Sequence, residues 1–235
     1  MTTADLPVAI LAGGLATRLR PLTATIPKAL VEVNGEPFIA HQLRLLRANG
    51  IDDVLICAGY LGPMIESFVG DGTRFGVRTT VIFDGPRLLG TAGALAAARP
   101  HIAAGAFFVL YGDSYLPCDY AAVQRAFERQ AQPALMTVYR NDGQWDGSNV
   151  EFSDGRIVQY SKRLKTPEMR YIDYGLGVLA TSALDSVRPG QPFDLALLYE
   201  SLAAQNQLAA FEMEDRFYEI GSVAGLVELQ RHLAA

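Results

Sequence analysis

Val8-Ala9-Ile10-Leu11-Ala12-Gly13-Gly14-Leu15-Ala16-Thr17-Arg18-Leu19-Arg20-Pro21-Leu22-Thr23, followed by Pro27-Lys28-Ala29-Leu30, decides how the rest of the chain is read. A short apolar strand, Val8 to Leu11, runs into two glycines. Gly13 and Gly14 lack Cβ, so their backbone can approach a ligand closely and adopt positive φ without penalty. Arg18, Arg20 and Lys28 follow, and no acidic residue occurs between Leu6 and Val31. The whole chain of 235 residues carries a net charge of −5, so this basic run stands out from its background. Exposed N–H groups beside fixed positive charges suit a polyphosphate. Gly-Gly after a strand is also ordinary turn chemistry, and neither feature carries the reading alone; together they read as a triphosphate site. The loop contains neither the G-x-x-x-x-G-K-[ST] of phosphate-loop nucleoside triphosphatases nor the G-x-G-x-x-G of dinucleotide folds.

Outward from this loop, apolar strands alternate with helical stretches. Strands are expected near 7–11, 53–57, 77–83, 106–111 and 134–139, and helices near 36–49, 91–99 and 119–130. The first helix opens at Pro37 and stops at Gly50; the third is capped by Asp119. This rhythm predicts an α/β fold with a doubly wound, mostly parallel but mixed Rossmann-like sheet. After residue 140 the pattern turns to hairpins. Ser148 to Phe152 and Arg156 to Tyr160 flank Ser153-Asp154-Gly155, which suggests a small β-hairpin lobe over the acceptor site. A strand near 174–180 rejoins the sheet, and Asp194–Asn206 and Ser222–Leu233 read as two last helices. The expected organisation is one domain over 1–235, with a nucleotide-binding core to residue 140, an acceptor lobe over 141–180 and C-terminal helices over 181–235.

Composition bounds the remaining classes. With 50% apolar and 19% charged residues the chain can bury an ample core. No apolar run approaches the ~18 residues of a membrane span and the N-terminus lacks a signal-peptide pattern. Two cysteines and no such signal imply the cytoplasm. The acidic balance argues against nucleic acid as a partner. His41, His101 and His232 are scattered with no H-E-x-x-H, so zinc is not indicated and His41 reads as a packing or surface residue. A serine hydrolase would want G-x-S-x-G, which is absent. Cys57 closes an apolar strand and reads as a buried thiol.

The opening stretch resembles the signature of the sugar-1-phosphate nucleotidylyltransferases, G-G-x-G-T-R-L-x-P-L-T followed by P-K-P. Ala16 stands where glycine is usual and Ala29 where the second proline is usual; neither change removes a charge. Such enzymes join a nucleoside triphosphate to a sugar 1-phosphate and release pyrophosphate. The resemblance implies that Leu11, Ala12, Gly13, Gly14 and Thr17 hold the nucleotide, that Arg18 neutralises the leaving phosphates, and that Lys28 sits beside the reacting ones. A site of this kind also wants Mg²⁺, which prefers one or two carboxylates plus phosphate oxygens and water. Phe107 to Tyr111 reads as a buried central strand ending in Gly112-Asp113-Ser114. That is an ordinary turn, but also the place where the family carries its metal-binding aspartate. The second metal carboxylate of the family lies in Asp-[IV]-Gly-[ST]. Here Tyr218-Glu219-Ile220-Gly221-Ser222 puts Glu219 at that place, with Ser222 as the N-cap of the last helix; a merely solvent-facing Glu219 is the alternative.

Leu89-Gly90-Thr91-Ala92-Gly93-Ala94 is similar to the family's second motif, which makes Gly90 a base contact and Thr91 a candidate helix cap. Asp84 stands at the end of a strand as either a turn residue or a base reader. A carboxylate suits the adjacent N1–H and N2–H of guanine better than the single N–H of uracil. On the acceptor side, Lys162 resembles the lysine that binds the sugar phosphate, although Ser161-Lys162-Arg163 replaces the usual Glu-Lys-Pro. Asp173 and Asn149 are candidates for the missing hydroxyl contacts, and Tyr111 is placed with them. The resemblance spans essentially the whole chain, without the hexapeptide repeats that many relatives append. It is closest to short single-domain guanylyltransferases for mannose- or heptose-type sugar 1-phosphates. Uridylyltransferases for an amino-sugar 1-phosphate such as N-acetylmuramate 1-phosphate share this build. A non-catalytic nucleotide-sugar sensor and a cytidylyltransferase for choline phosphate are further alternatives. The partners implied are a nucleoside triphosphate and a sugar 1-phosphate, with a homodimer left open.

Overall fold

The computed structural model describes residues 4–14, 19, 23–59 and 61–234. The first half contains β1 (Val8–Leu11), β2 (Glu32–Val33), β3 (Glu36–Pro37), α1 (Phe38–Ala48), β4 (Asp53–Ala58), α2 (Gly62–Val69), β5 (Arg78–Phe83) and α3 (Gly90–Ala98). It continues with β6 (Ala106–Tyr111), β7 (Ser114–Tyr115), α4 (Tyr120–Gln130) and β8 (Ala134–Arg140). The second half holds β9 (Val150–Ser153), β10 (Arg156–Tyr160), β11 (Tyr171–Ala180), α5 (Leu195–Ala204), β12 (Leu208–Met213), β13 (Tyr218–Glu219) and α6 (Val223–Ala234).

β6, β1, β4 and β5 lie side by side in parallel, with Val8 opposite both Phe108 and Val54 and Asp53 opposite Arg78. β11 runs antiparallel along β6, β8 antiparallel along β11, and β12 adds to β8 in parallel. β1, β4 and β6 read as near-continuous apolar runs because both of their faces are covered. Val8, Ile10, Val54, Ile56, Phe108 and Leu110 point to one side, where α1, α2 and α4 pack. Ala9, Leu55, Cys57, Phe107 and Val109 point to the other, under α3 and α5. The alternation along each strand is the ordinary period of two. The doubly wound, mixed sheet expected from the βα rhythm is therefore present. α6 closes a smaller cluster of Val31, Val33, Phe38, Ile220 and Leu229.

β9 and β10 form the expected hairpin, its turn made by Asp154 and Gly155 at φ 52° and 75°. Two positive-φ residues give a turn whose twist matches the strands. The hairpin continues the main sheet through the pairing of Val150 with Tyr171. α2, β12 and the short strands β2, β3 and β7 went unread in the sequence. α2 starts at Gly62-Pro63 after Leu61 in the left-handed region, and it buries only Gly62, Ile65 and Val69. β12 is rich in alanine, and its strand state comes from pairing with β8 rather than from its own residues. Among the described residues no helix is long and apolar enough to cross a membrane.

α3 and α5 cap one another. The Phe193 carbonyl accepts from Ala92 N at 3.0 Å and Gly93 N at 3.1 Å, two first-turn donors of α3 that have no partner within the helix. Thr91 Oγ1 accepts from Leu195 N at 2.7 Å and donates to Asp194 Oδ1 at 3.0 Å; Asp194 itself accepts from Ala196 N. Thr91 therefore does not cap its own helix, as its sequence position suggested, because α3 already begins at Gly90. It serves the neighbouring one.

This contact explains both small residues of the motif. Gly90 sits at φ 68°, and a Cβ there would lie 2.7 Å from the Phe193 oxygen; a Cβ on Gly93 would lie 2.8 Å from the Gln191 oxygen. Gly90→Ala is expected to destabilise the protein by about 2–3 kcal/mol through positive φ plus the clash with fixed backbone. Calorimetry should show Tm falling by roughly 5–10 °C. An unchanged Tm would contradict this seat for Phe193.

Candidate active site

The carboxyl ends of β1, β4 and β6 meet at three glycines. Ala12 N donates to Cys57 O at 2.8 Å and Gly112 N to Leu11 O at 3.0 Å, which carries the strand pairing into the loops. A Cβ on Gly59 would lie 2.8 Å from the Gly13 oxygen, and one on Gly112 would lie 2.6 Å from the Leu11 oxygen. A Cβ added at Gly14 would meet nothing within 4 Å among the described residues. A cleft of about 380 Å³ opens at this place, where sheets of this class bind ligands. Leu11, Ala12, Gly13, Gly14, Lys28, Asp84, Gly90, Thr91, Tyr111, Asp113 and Lys162 all line it. Thr17 and Arg18, the other two residues assigned to the phosphates, lie outside the described residues.

At the floor of the cleft Lys28 Nζ donates to Asp113 Oδ2 at 2.6 Å across 85 positions of sequence. Lys28 heads a single 3₁₀ turn, Lys28–Leu30, entered from the extended Pro27 and anchored by buried Ala29. Asp113 sits in the turn between β6 and β7, and this turn is held from two sides. Gln42 Nε2, fully buried on α1, donates to Tyr111 O at 3.2 Å and Ser114 O at 2.8 Å. Ile220 N donates to Asp113 O at 2.9 Å. Antiparallel pairing of β13 with β7 then sets Glu219 opposite Ser114, beside Asp113. Ser222 Oγ accepts from Gly225 N at 3.1 Å, the expected cap of α6, and Gly225 packs its Cα face against the Glu219 carbonyl.

Asp84 closes the far end of the cleft. Its N–H donates to Ala58 O at 3.1 Å, its Oδ2 accepts from Leu89 N at 3.2 Å, and that same oxygen faces Gly13. Burial raises the Asp84 pKa above the usual aspartate range, partly offset by the Leu89 N–H. Cys57 lies beneath it. Burial, with Asp84 adding to it, pushes that thiol up to about 12, so it stays protonated and is no nucleophile. His41, with Nε2 2.9 Å from Val33 O, is a packing residue as expected.

The acceptor candidates gather around Tyr111. Lys162 Nζ lies 5.3 Å from the centre of the Tyr111 ring, and the Tyr111 hydroxyl donates to Asp173 Oδ2 at 3.5 Å. Burial, then the neighbouring Asp173 charge, raises the Tyr111 pKa, so the phenol remains a donor. Asp173 Oδ1 accepts from Gly175 N at 3.0 Å, where a bulge in β11 puts Gly175 at φ 99°. Burial raises the Asp173 pKa against the opposing pull of Lys162. Asn149 Oδ1 accepts from Asp173 N at 2.9 Å, so this oxygen holds the strand and does not reach into the cleft. Asn149 and Asp173 stand behind the cleft wall, and Glu219 beside its floor.

Gln42 and Gly59 were missed in the sequence. Gln42 had a signal, since it is the one polar side chain within the apolar stripe of Phe38, Ile39, Leu43 and Leu46 on α1. Gly59 had none, because its role is a contact with a loop 46 positions away in the chain, at Gly13. Gln42→Leu strips a donor from two carbonyls beside Asp113, and denaturant unfolding should register a loss of about 1–3 kcal/mol. A variant as stable as the parent would show that Gln42 does not hold this turn.

Residues 8–235 match the family model described as "Nucleotidyl transferase". The chain is 30% identical over 220 residues to a mannose-1-phosphate guanyltransferase of Schizosaccharomyces pombe, with 90% of this chain and 60% of that protein covered. It is 27% identical over 222 residues to an N-acetylmuramate alpha-1-phosphate uridylyltransferase of Neisseria meningitidis, covering 94% of this chain and 95% of that one. The fold matches the solved inositol-1-phosphate CTP transferase of T. maritima with a TM-score of 0.83 at 21% identity, covering 100% of this chain and 97% of the other. The guanyltransferase relatives are longer, and the chain spans about 60% of their length. A match that runs from β1 through α6, and so takes in every part of the cleft, establishes that the chain belongs to the nucleotidyl transferase family.

Proposed function

We propose that the chain transfers a nucleoside monophosphate from a nucleoside triphosphate to a sugar 1-phosphate, with GTP as the donor and a mannose- or heptose-type sugar phosphate as the acceptor. One observation carries this reading: a single cleft joins a glycine loop, a lysine–aspartate pair at its floor, a carboxylate at one end and a second lysine at the other. A sugar phosphate oxygen attacks the α-phosphorus of the triphosphate, and the bond to the bridging oxygen breaks as pyrophosphate leaves. The nucleophile is already ionised, so no general base is needed and positioning with charge neutralisation supplies most of the rate. Gly13 and Gly14 let the backbone approach the phosphates. Lys28 and Arg18 offset charge on the reacting and leaving groups, and Lys162 holds the acceptor phosphate. Asp173, set by Asn149, Gly175 and Tyr111, orders the acceptor side.

Asp113 and Glu219 are hard oxygen donors on adjacent backbone, and among the described residues no three such side chains cluster to hold a metal by themselves. That set fits Mg²⁺, which keeps waters and takes substrate phosphates as further ligands. Bound there, Mg²⁺ would supply charge stabilisation to the phosphates. At the base end, Asp84 would accept from the paired N–H donors of guanine, and only in its ionised form. A second reading, uridylyl transfer to an amino-sugar 1-phosphate, is favoured by the relative from N. meningitidis, whose length the chain matches almost entirely.

The test is pyrophosphate release with Mg²⁺ and each of GTP, UTP, dTTP, CTP and ATP against mannose, heptose, glucose and N-acetylmuramic acid 1-phosphates. Release with GTP is expected; release with UTP alone moves the assignment to the second reading, and none with any pair removes the transfer. Asp84→Asn should lower GTP use by about 10–100-fold, the loss of a charge-assisted contact, with a smaller effect on UTP. Protonation of Asp84 has a direction as well. Because burial raises its pKa, GTP affinity should fall on acidification at a pH above the ordinary aspartate range, and this fall should vanish in Asp84→Asn. A titration of affinity against pH that is identical in the two proteins would exclude Asp84 as the base reader.

A further inference from the structure

The segment between β12 and β13 carries a stack outside the cleft. The Arg216 guanidinium carbon lies 3.6 Å from the centre of the Trp145 ring and 4.7 Å from that of Tyr218. Arg216 Nη2 also donates to Glu228 Oε2 of α6 at 2.7 Å. Tyr218 stacks in turn on His232, with ring centres 4.2 Å apart and planes at 16°. Phe217, between Arg216 and Tyr218, turns inward against Tyr139 and Tyr174. The guanidinium is planar and bonds Glu228 through one terminal nitrogen, an arrangement compatible with stacking on rings.

What makes the stack more than a surface ornament is where its ends lead. Trp145 belongs to the connection between β8 and β9. That connection is wrapped on the buried Asn141, whose side chain accepts from Trp145 N and donates to Asp146 O and Ser148 Oγ. The same connection ends at Asn149, which holds the backbone of Asp173. Tyr218 is the residue before Glu219 and pairs with Tyr115 in β7, next to the Asp113 turn. The two halves of the cleft are therefore joined outside it.

We propose that Arg216 is a positioning residue: clamped against Trp145 and Tyr218, it ties the connection that carries Asn149 to the strand that carries Glu219, so that the acceptor side and the second carboxylate move as one body. The inference rests on Glu219 serving as a metal carboxylate in the proposed transfer. Arg216 does not line the cleft and acts through its neighbours. A lysine at this position would keep the charge toward Glu228 and lose the planar stack, so Arg216→Lys separates the two contributions.

Trp145 is the only tryptophan in the chain, and its emission reports the clamp directly. The full chain titrated with MgCl₂ at saturating GTP, whose phosphates supply the ligands that Asp113 and Glu219 do not, should give a saturable change in that emission, and Glu219→Gln should abolish it. Arg216→Ala and Arg216→Lys should each need about tenfold more Mg²⁺ to reach half of the change; Arg216→Lys serves where the alanine variant does not fold. In turnover both should raise the Mg²⁺ requirement by a similar factor and leave KM for the nucleotide within twofold. No Mg²⁺ response of Trp145 in the parent chain, an undiminished response in Glu219→Gln, or variants that respond within twofold of the parent would each overturn the clamp. A response that depends on Arg216 in a protein that releases no pyrophosphate would keep the clamp and remove the transfer reading.

Discussion

Three parallel strands can end at one point only if their backbones come closer than side chains allow. β1, β4 and β6 achieve this at Gly13, Gly59 and Gly112, where an added Cβ would meet a neighbouring backbone atom at 3.2, 2.8 and 2.6 Å respectively. The loops that leave these strands then diverge, and the cleft is the space between them. Gly14, Asp84 and Asp113 take their places from that convergence. Gly14 lines the cleft, Asp84 reaches back toward Gly13, and Asp113 stands one residue beyond Gly112. A bulky residue at any of the three glycines would push strands apart that are otherwise buried on both faces, so the constraint links the core to the site.

Around this point backbone and side-chain polar groups together fix the geometry. Phe193 O accepts from two first-turn donors of α3, while Thr91 and Asp194 accept from two of α5. Gln42 and Ile220 N hold the Asp113 turn from opposite sides. A site placed by such fixed contacts suits a reaction whose catalysis is mainly positioning. The ionisable groups nearby follow their surroundings: burial raises the pKa values of Asp84, Asp173 and Tyr111 and leaves Cys57 an inert thiol.

Much of this was legible before any coordinates. Val8–Leu11 and Phe107–Tyr111 could be recognised as buried strands because both of their faces are apolar, and Asp119 capped α4 as its type and place predict, accepting from Ala122 N at 2.9 Å. Lys28, Asp113, Gly90 and Lys162 were picked from local patterns, and they do line one cleft. α2 escaped because it is short and half exposed, and β12 because an alanine-rich strand is defined by its partner. Thr91 was given the wrong helix, since a capping residue shows its type in the sequence but not which helix end lies beside it.

The sequence by itself determined the fold class, the succession of strands and helices along the first half of the chain and the charged residues that follow the glycine loop, because hydrophobic period and glycine placement act over a few neighbouring residues. Only the tertiary structure decided which groups pair: Lys28 with Asp113, Glu219 beside Ser114, Asn149 with Asp173, and Arg216 with Trp145 and Tyr218. Apart from that of Arg216 with Tyr218, each of these contacts joins segments separated by many residues, and its geometry is set by how the sheet and helices pack between them. No local pattern carries that information, because the distance between two such side chains is a property of the packed core and not of either segment.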